Sequence, residues 1–283
     1  MFQSSSREST DNHHKPLKFT SLSKCSARNL LGKVDLLRIA ASLKQDQKQK
    51  GKLGQFLTPA PVAELMVGMF GELNLPQISL LDAGAGVGSL LAAFVANLCQ
   101  SQQRPANLDI VAYEIDPFLI GYLRQTLQLC VRECQIAGIY LNYEIRNTDF
   151  IEDAVRLLGP SLFDNPDNCR FTHAILNPPY LKINAHSKVR DLLRSIGLEA
   201  SNLYTGFIAA TVQLLESRGE LVAISPRSFC NGPYFRDFRR MFLEMMALDQ
   251  IHLFESRQEA FSDDEVLQET IIIHLTFHVM WKS

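Results

Sequence analysis

Seven short apolar segments recur along this chain, and stretches of helical periodicity separate most of them. The strand candidates are Ile78 to Asp82, Leu108 to Glu114, Leu141 to Arg146, Thr172 to Leu176, Glu220 to Ser225, Gln250 to Phe254 and Thr270 to Phe277. Helices are expected at Ser89 to Cys99, Pro117 to Ala137, Leu203 to Glu216 and Tyr234 to Met246. Strands that alternate with helices of this length form βαβ units, whose crossovers make the sheet parallel and cover both of its faces. The expected fold is therefore α/β, a doubly wound, mostly parallel seven-stranded sheet. No long helix separates the last two strands, which are expected to form an antiparallel edge hairpin.

Upstream of the first strand the pattern changes. Residues 1–28 are rich in Ser, His, Asn and charge, hold few apolar anchors, and are expected to be a mobile tail. From Asn29 onward Leu30, Leu31, Val34, Leu37, Ile39, Ala40 and Leu43 recur at helical spacing, so 29–53 reads as an N-terminal helix and linker. Residues 54–283 read as one domain, and Thr58 is expected to cap a helix with Pro59 at its first position. The longest apolar runs are far short of the roughly 20 residues of a membrane helix, so no membrane partner is expected. The start, MFQSSSRESTDNHHKP, also lacks the apolar stretch of a secretory signal. Six cysteines (Cys25, Cys99, Cys130, Cys134, Cys169 and Cys230) form no C-x-x-C pair and fall mostly in apolar runs. Buried reduced thiols in a cytoplasmic setting are expected, with no metal site. With 28 Lys and Arg against 30 Asp and Glu the net charge is -2, so any nucleic-acid contact must be a local basic patch.

The first strand runs into Asp82-Ala83-Gly84-Ala85-Gly86-Val87-Gly88-Ser89. Glycines there permit a tight turn and let a ligand approach the backbone with no Cβ in the way. The second strand ends in Glu114-Ile115-Asp116, and an acid at that tip accepts hydrogen bonds from two ribose hydroxyls; alone, it is equally a solvated loop acid. Asp149, with Phe150 beside it, follows the third strand, where it either accepts from an adenine amino group or caps a helix. Three acids at successive strand ends lie along the carboxyl edge of a parallel sheet, where such sheets bind ligands. Together they point to an adenosine-containing cofactor, and the acidic lining disfavours a string of phosphates.

The fourth strand ends in Asn177-Pro178-Pro179-Tyr180. Two prolines remove two N–H donors and hold the chain extended, which leaves their carbonyls free. The Asn177 side-chain oxygen and a neighbouring carbonyl can then both accept from one planar NH2 group, with Tyr180 stacked on its ring. An amino group conjugated to a ring, or an amide, is a poor nucleophile. Acceptors matched to the reacting geometry favour a lone pair aimed at an electrophilic methyl, and no ionisable base is needed. An isolated N-P-P is otherwise a strand-ending turn.

In order along the chain, GQFLTP, LLDAGAGVGSL, YEID, NTDF, LNPPY, SNLYTGFIAATVQLLESRGELVAISPRSF and AFSDDEVLQETIII resemble the class I S-adenosylmethionine-dependent DNA adenine-N6 methyltransferases of restriction–modification systems. The resemblance covers about residues 50 to 278 and implies a Rossmann-like catalytic domain over 54–283. It also implies roles by position. Thr58 and its neighbours would line the methionine end of S-adenosylmethionine, and Asp82, Gly84 and Gly86 its amino-acid part. Glu114, followed by Ile115, would hold the ribose, and Asp149 with Phe150 the adenine. Asn177 and Pro178, then Pro179 and Tyr180, would form the catalytic segment on an extruded base, and Phe261 would supply a second stacking aromatic, its alternative being a core or hairpin residue. A target-recognition domain would follow and is expected to be absent here, so either a separate specificity subunit or nuclease is an expected partner, or the chain is a truncated or split gene product.

Reaching a base in double-stranded DNA requires extruding it. Lys182, Lys188, Arg190 and Arg194 follow the Asn-Pro-Pro-Tyr segment against one acid, Asp191. They are expected to contact the DNA backbone, the alternative being a solvated, ion-paired face. The chain also resembles protein-glutamine N5 methyltransferases through the same segment, and methylation of ribosomal RNA is a third reading. A non-catalytic, cofactor-binding subunit is the reading outside enzymes.

Overall fold

Five parallel strands, β1 (Gln77–Ala83), β2 (Asn107–Tyr113), β3 (Tyr140–Arg146), β4 (Phe171–Leu176) and β5 (Leu215–Pro226), make up most of the sheet in the computed structural model. The structure describes residues 19–45, 54, 56–159, 170–254 and 269–278. With β6 (Met246–Leu253) and β7 (Thr270–Phe277) the sheet has seven strands in the order β3-β2-β1-β4-β5-β7-β6. β7 pairs antiparallel with both β5 and β6, so the expected antiparallel pair is present, with β6 as the edge. The chain builds outward from β1 to β3, then returns to lay β4 on the other side of β1. That reversal leaves a crevice at the carboxyl ends of β1 and β4.

Alternation along the strands divides the core in two. Leu80 and Ile110 face one way, against α1 (Phe19–Lys44), α2 (Ala60–Val67), α3 (Ser89–Gln100) and α4 (Pro117–Ala137). Leu81 and Leu176 face the other, against α5 (Phe150–Leu158), α6 (Lys188–Ser195), α7 (Leu203–Gln213) and α8 (Arg236–Met245). Because helices cover both faces, the central strands are apolar throughout rather than alternating, as parallel sheets require.

Four local expectations change. The helix expected from Asn29 begins at Phe19, inside the segment read as a mobile tail; its first turns carry too few apolar residues to show a period. α5 and α6 were not expected, because each is shorter than ten residues and gives the period little room. The helix expected to run to Glu216 stops at Gln213, and two strands start earlier than expected, β5 at Leu215 rather than Glu220 and β6 at Met246 rather than Gln250. Thr58 does not cap α2: Pro59 holds the cap position without a side-chain bond, and Asp35 Oδ1 on α1 accepts from Ala60 N at 3.3 Å.

His173 on β4, Glu220 on β5 and His274 on β7 cluster where these strands lie side by side. Glu220 Oε2 lies 2.8 Å from His274 Nε2 and accepts from Gly71 N at 2.9 Å. His173 is buried against the rings of Phe70 and Phe94, with centroids 5.4 and 5.9 Å away. Burial pushes its pKa down to about 4 from 6.5; the Glu220 carboxylate opposes this and His274 adds to it. Between those values the unfolded chain binds a proton that the folded chain refuses, so stability falls as the pH falls from 6.5 toward 4. At pH 5 the expected loss from this group is about 2 kcal/mol. Urea unfolding of the wild type and a His173→Leu variant at pH 7 and pH 5 tests this: the wild type should lose about 2 kcal/mol more than the variant between the two pH values, and equal losses would reject it.

Candidate active site

The turn after β1 is pinned from β2. Gly84 N and Ala85 N both donate to the Tyr113 carbonyl, at 3.0 and 2.8 Å, and Gly86 N donates to Glu114 Oε2 at 2.8 Å. Glu114 Oε1 accepts from Asp116 N at 2.7 Å, so two backbone donors hold one buried carboxylate. Burial raises the pKa of Glu114, against the opposing pull of those N–H groups. Gly86 has φ 57°, and a Cβ there would stand 3.0 Å from Leu57 Cδ2. Glycine keeps the turn close under Leu57.

Above the turn lies a cavity walled by Phe56, Leu57, Gly84, Gly86, Tyr113, Glu114, Ile115, Leu119, Thr148, Asp149, Phe150, Asn177, Pro179, Leu181, Leu203 and Phe207. The fold thus gathers Gly84, Gly86, Glu114, Ile115, Asp149, Phe150, Asn177 and Pro179 from the sequence-expected set around one space. No Lys or Arg is among its lining residues. Of its two expected roles Asp149 takes the helix cap, its Oδ1 accepting from Glu152 N at 3.0 Å at the start of α5, and it also lines the cavity. Phe150 packs on Tyr113 and Phe207, both with centroids 5.1 Å away. Leu203 and Phe207, one turn apart at the start of α7, are wall residues that sequence reasoning missed; their i, i+4 spacing was the available signal.

Two of the residues expected to line the cofactor are not in this wall. Asp82 is fully buried, and neither carboxylate oxygen has a hydrogen-bond partner among the described residues. Burial, and then the nearby Glu114 charge, raises its pKa well above the carboxylate range. Thr58 is also buried, and its hydroxyl oxygen accepts from Asn177 Nδ2 at 3.0 Å instead of facing the cavity. Asn177 Nδ2 donates in addition to the Phe56 carbonyl at 2.8 Å, and Tyr180 OH donates to Asn177 Oδ1 at 3.3 Å. Pro178 is buried, and no backbone N–H among the described residues bonds to its carbonyl.

A second cavity of about 720 Å³ opens on the far side of Tyr180. Tyr180, Tyr204, Tyr234 and Phe235 supply its aromatic wall, and Lys182, Asn202, Arg227, Ser228, Asn231 and Glu269 its polar one. Phe261 lies outside the described residues. The expected basic patch is not bare: Lys188 pairs with Glu152 at 2.6 Å, and Arg190 and Arg194 both pair with Glu199 at 2.9 Å. Glu199, which lies further along the chain than the segment read for charge, is held near a pKa of about 2 by those guanidinium groups. Lys182 alone of the four lines the cavity.

A model of the family described as Eco57I restriction-modification methylase matches residues 112–261, just over half of the chain. The chain is 46% identical over 243 residues to the type II methyltransferase M.PstI of Providencia stuartii, covering 86% of this chain and 46% of that protein. It is 48% identical over 229 residues to the type II methyltransferase M.BsuBI of Bacillus subtilis, covering 81% and 44%. It thus spans less than half the length of these two relatives. Among solved structures, a Listeria monocytogenes protein assigned to the class I S-adenosylmethionine-dependent methyltransferases matches with a TM-score of 0.63 at 11% identity, over 91% of this chain and 70% of that one. The fold is therefore the class I methyltransferase fold.

Gly54 tests how tightly the segment before α2 rests on the Asn177 turn. It has φ 59°, its carbonyl accepts from Tyr180 N at 3.2 Å, and a Cβ would stand 2.8 Å from Leu181 Cγ. Gly54→Ala is expected to lower unfolding free energy by about 1–2 kcal/mol from the left-handed backbone alone. It should also speed hydrogen exchange at the Tyr180 amide. Unchanged stability and exchange would show that the segment packs loosely.

Proposed function

Because the chain belongs to the Eco57I restriction-modification methylase family, we propose that it transfers a methyl group from S-adenosylmethionine to the N6 amino group of an adenine turned out of double-stranded DNA. One observation carries this reading: Asn177 lines the first cavity, Tyr180 lines the second, and a hydrogen bond joins them. A donor in one cavity and an acceptor base in the other would meet at that pair.

The first cavity suits S-adenosylmethionine in its chemistry. Its lining carries two acids and no cation, which favours a positively charged sulfonium and disfavours phosphates. Gly84 and Gly86 leave the backbone open to a close ligand, and the orphaned Asp82 carboxylate lies behind the same turn. Glu114, at the tip of β2 in the cavity wall, would accept from the ribose hydroxyls. Asp149 would accept from the adenine amino group, between the apolar surfaces of Ile115, Phe150 and Phe207. When bound, this cofactor supplies an electrophilic methyl group.

The chain's own part is placement. Asn177 Oδ1 and the Pro178 carbonyl would accept from the two N–H bonds of the target amino group and aim its lone pair at the methyl. Both are neutral acceptors aligned before the reaction, a preorganisation that costs no rearrangement at the moment of transfer. Tyr180 would stack on the target base, with Tyr204, Tyr234 and Phe235 around it; stacking returns roughly 1–3 kcal/mol toward extrusion. A cavity of about 720 Å³ leaves room for more of the nucleotide than its base, and Lys182 stands in that wall. Lys188, Arg190 and Arg194 would exchange their exposed carboxylate partners for DNA phosphates, since exposed pairs are worth about 0–1 kcal/mol. Sequence choice would fall to a specificity subunit or module, with a nuclease as companion, in the cytoplasm. No helix among the described residues is long and apolar enough to cross a membrane.

The chain incubated with methyl-labelled S-adenosylmethionine and DNA should yield N6-methyldeoxyadenosine on nucleoside mass analysis. Asn177→Ala should lose transfer by about 10²–10³-fold while still binding the cofactor. Label recovered in release-factor glutamine or ribosomal RNA instead, or cofactor binding without any transfer even when a recognition module is supplied, would overturn the reading. For the basic residues, joint replacement of Lys188, Arg190 and Arg194 by Ala should flatten the plot of log affinity for DNA against log salt by up to about three phosphate contacts. An unchanged slope would leave them as structural ion pairs.

A further inference from the structure

The Asn177 amide is useful to an incoming NH2 group only if it presents its oxygen, because its nitrogen end carries two donors and would repel a third. Rotation by half a turn about the last side-chain bond exchanges the two ends with almost no change in shape. Something must therefore choose between them.

The segment running into α2 makes that choice. Asn177 Nδ2 donates to the Phe56 carbonyl at 2.8 Å and to Thr58 Oγ1 at 3.0 Å, so both of its N–H bonds have partners. A backbone carbonyl can only accept, so the flipped amide would set oxygen against oxygen there. The Phe56 ring also packs on Tyr180 with centroids 5.5 Å apart, and the Gly54 carbonyl holds the Tyr180 amide. On the opposite side Tyr180 OH is the one donor among the described residues that Asn177 Oδ1 receives, at 3.3 Å, beyond the usual 2.5–3.0 Å for such a bond. A shorter bond from a substrate amino group would displace it.

We propose that Thr58 is a positioning residue for methyl transfer: the acceptor-only Phe56 carbonyl selects which end of the Asn177 amide turns inward, and the Thr58 hydroxyl oxygen takes the second N–H and holds that orientation, so that the amide oxygen meets the target nitrogen. This rests on the methyl-transfer reading above, and it differs from the cofactor-lining role that the resemblance implies for Thr58. Phe56 and Leu57 line the cofactor cavity while Thr58 turns away from it, so one short segment would serve the cofactor and orient the acceptor at once.

Thr58→Val keeps the shape and removes the hydroxyl. It should lower kcat about tenfold, the worth of one hydrogen bond, and leave the dissociation constant for S-adenosylmethionine within twofold. Thr58→Ser should restore kcat. In protein labelled with 15N-asparagine, the Asn177 side-chain amide signal, assigned by its loss in Asn177→Ala, should shift and exchange faster in Thr58→Val and return in Thr58→Ser. Two results would overturn the proposal: wild-type kcat with an unmoved amide signal, or cofactor affinity lost in proportion to kcat, which makes Thr58 a cofactor ligand. Should the wild type transfer no methyl to adenine, the reading of the reaction fails, and the amide signal and cofactor affinity still decide whether Thr58 holds Asn177.

Discussion

The pairing of β1 with β4 is the constraint from which the site follows. Leu80 aligns with His173 and Leu81 with Ala174, so the glycine turn after one strand and the Asn-Pro-Pro-Tyr segment after the other emerge side by side. Neither end is covered by a crossover helix, because the chain reverses its direction of build at this point. The crevice is therefore a consequence of topology, and the segment around Phe56 closes it from above by hydrogen bonds to a residue 121 positions away.

Within that crevice the electrostatics are unusual for a charged-ligand site. Fixed backbone N–H groups, rather than cations, hold Glu114, and the fully buried Asp82 beside it has no hydrogen-bond partner among the described residues. Burial first, and then the neighbouring Glu114 charge, which low polarity makes more influential, raises the proton affinity of Asp82. Such a wall welcomes a cation and repels phosphate. Lys182 stands near Tyr180, and Lys188, Arg190 and Arg194 stand on α6, where each of these three has a carboxylate neighbour. A polyanion approaching that side would compete with those carboxylates.

Much of the fold was legible in the chain. The seven strands appear where apolar runs stand, because a sheet covered on both faces needs little else from its central strands. The glycine turn, Glu114, Asp149 and Asn177 were legible for a related reason: strand ends in a parallel sheet share one edge, so residues that follow strands are brought together. Shorter elements were not. α5 and α6 lack the length for a clear period, and the start of α1 lacks the apolar residues. Glu199 escaped notice because charge was read along the segment, whereas Arg190 and Arg194 find it across the end of α6.

Residue order alone determined the architecture and the chemical inventory, since periodicity, glycine spacing and strand-end acids are local properties. Tertiary structure decided how that inventory is used. Thr58 reads as a helix cap beside Pro59, and only the packing of its segment against β4 turns the hydroxyl toward Asn177. The aromatic group of Tyr180, Tyr204, Tyr234 and Phe235 likewise comes from separate segments that share no pattern along the chain. Side-chain direction at such places is set by contacts between distant segments, and no local spacing encodes them.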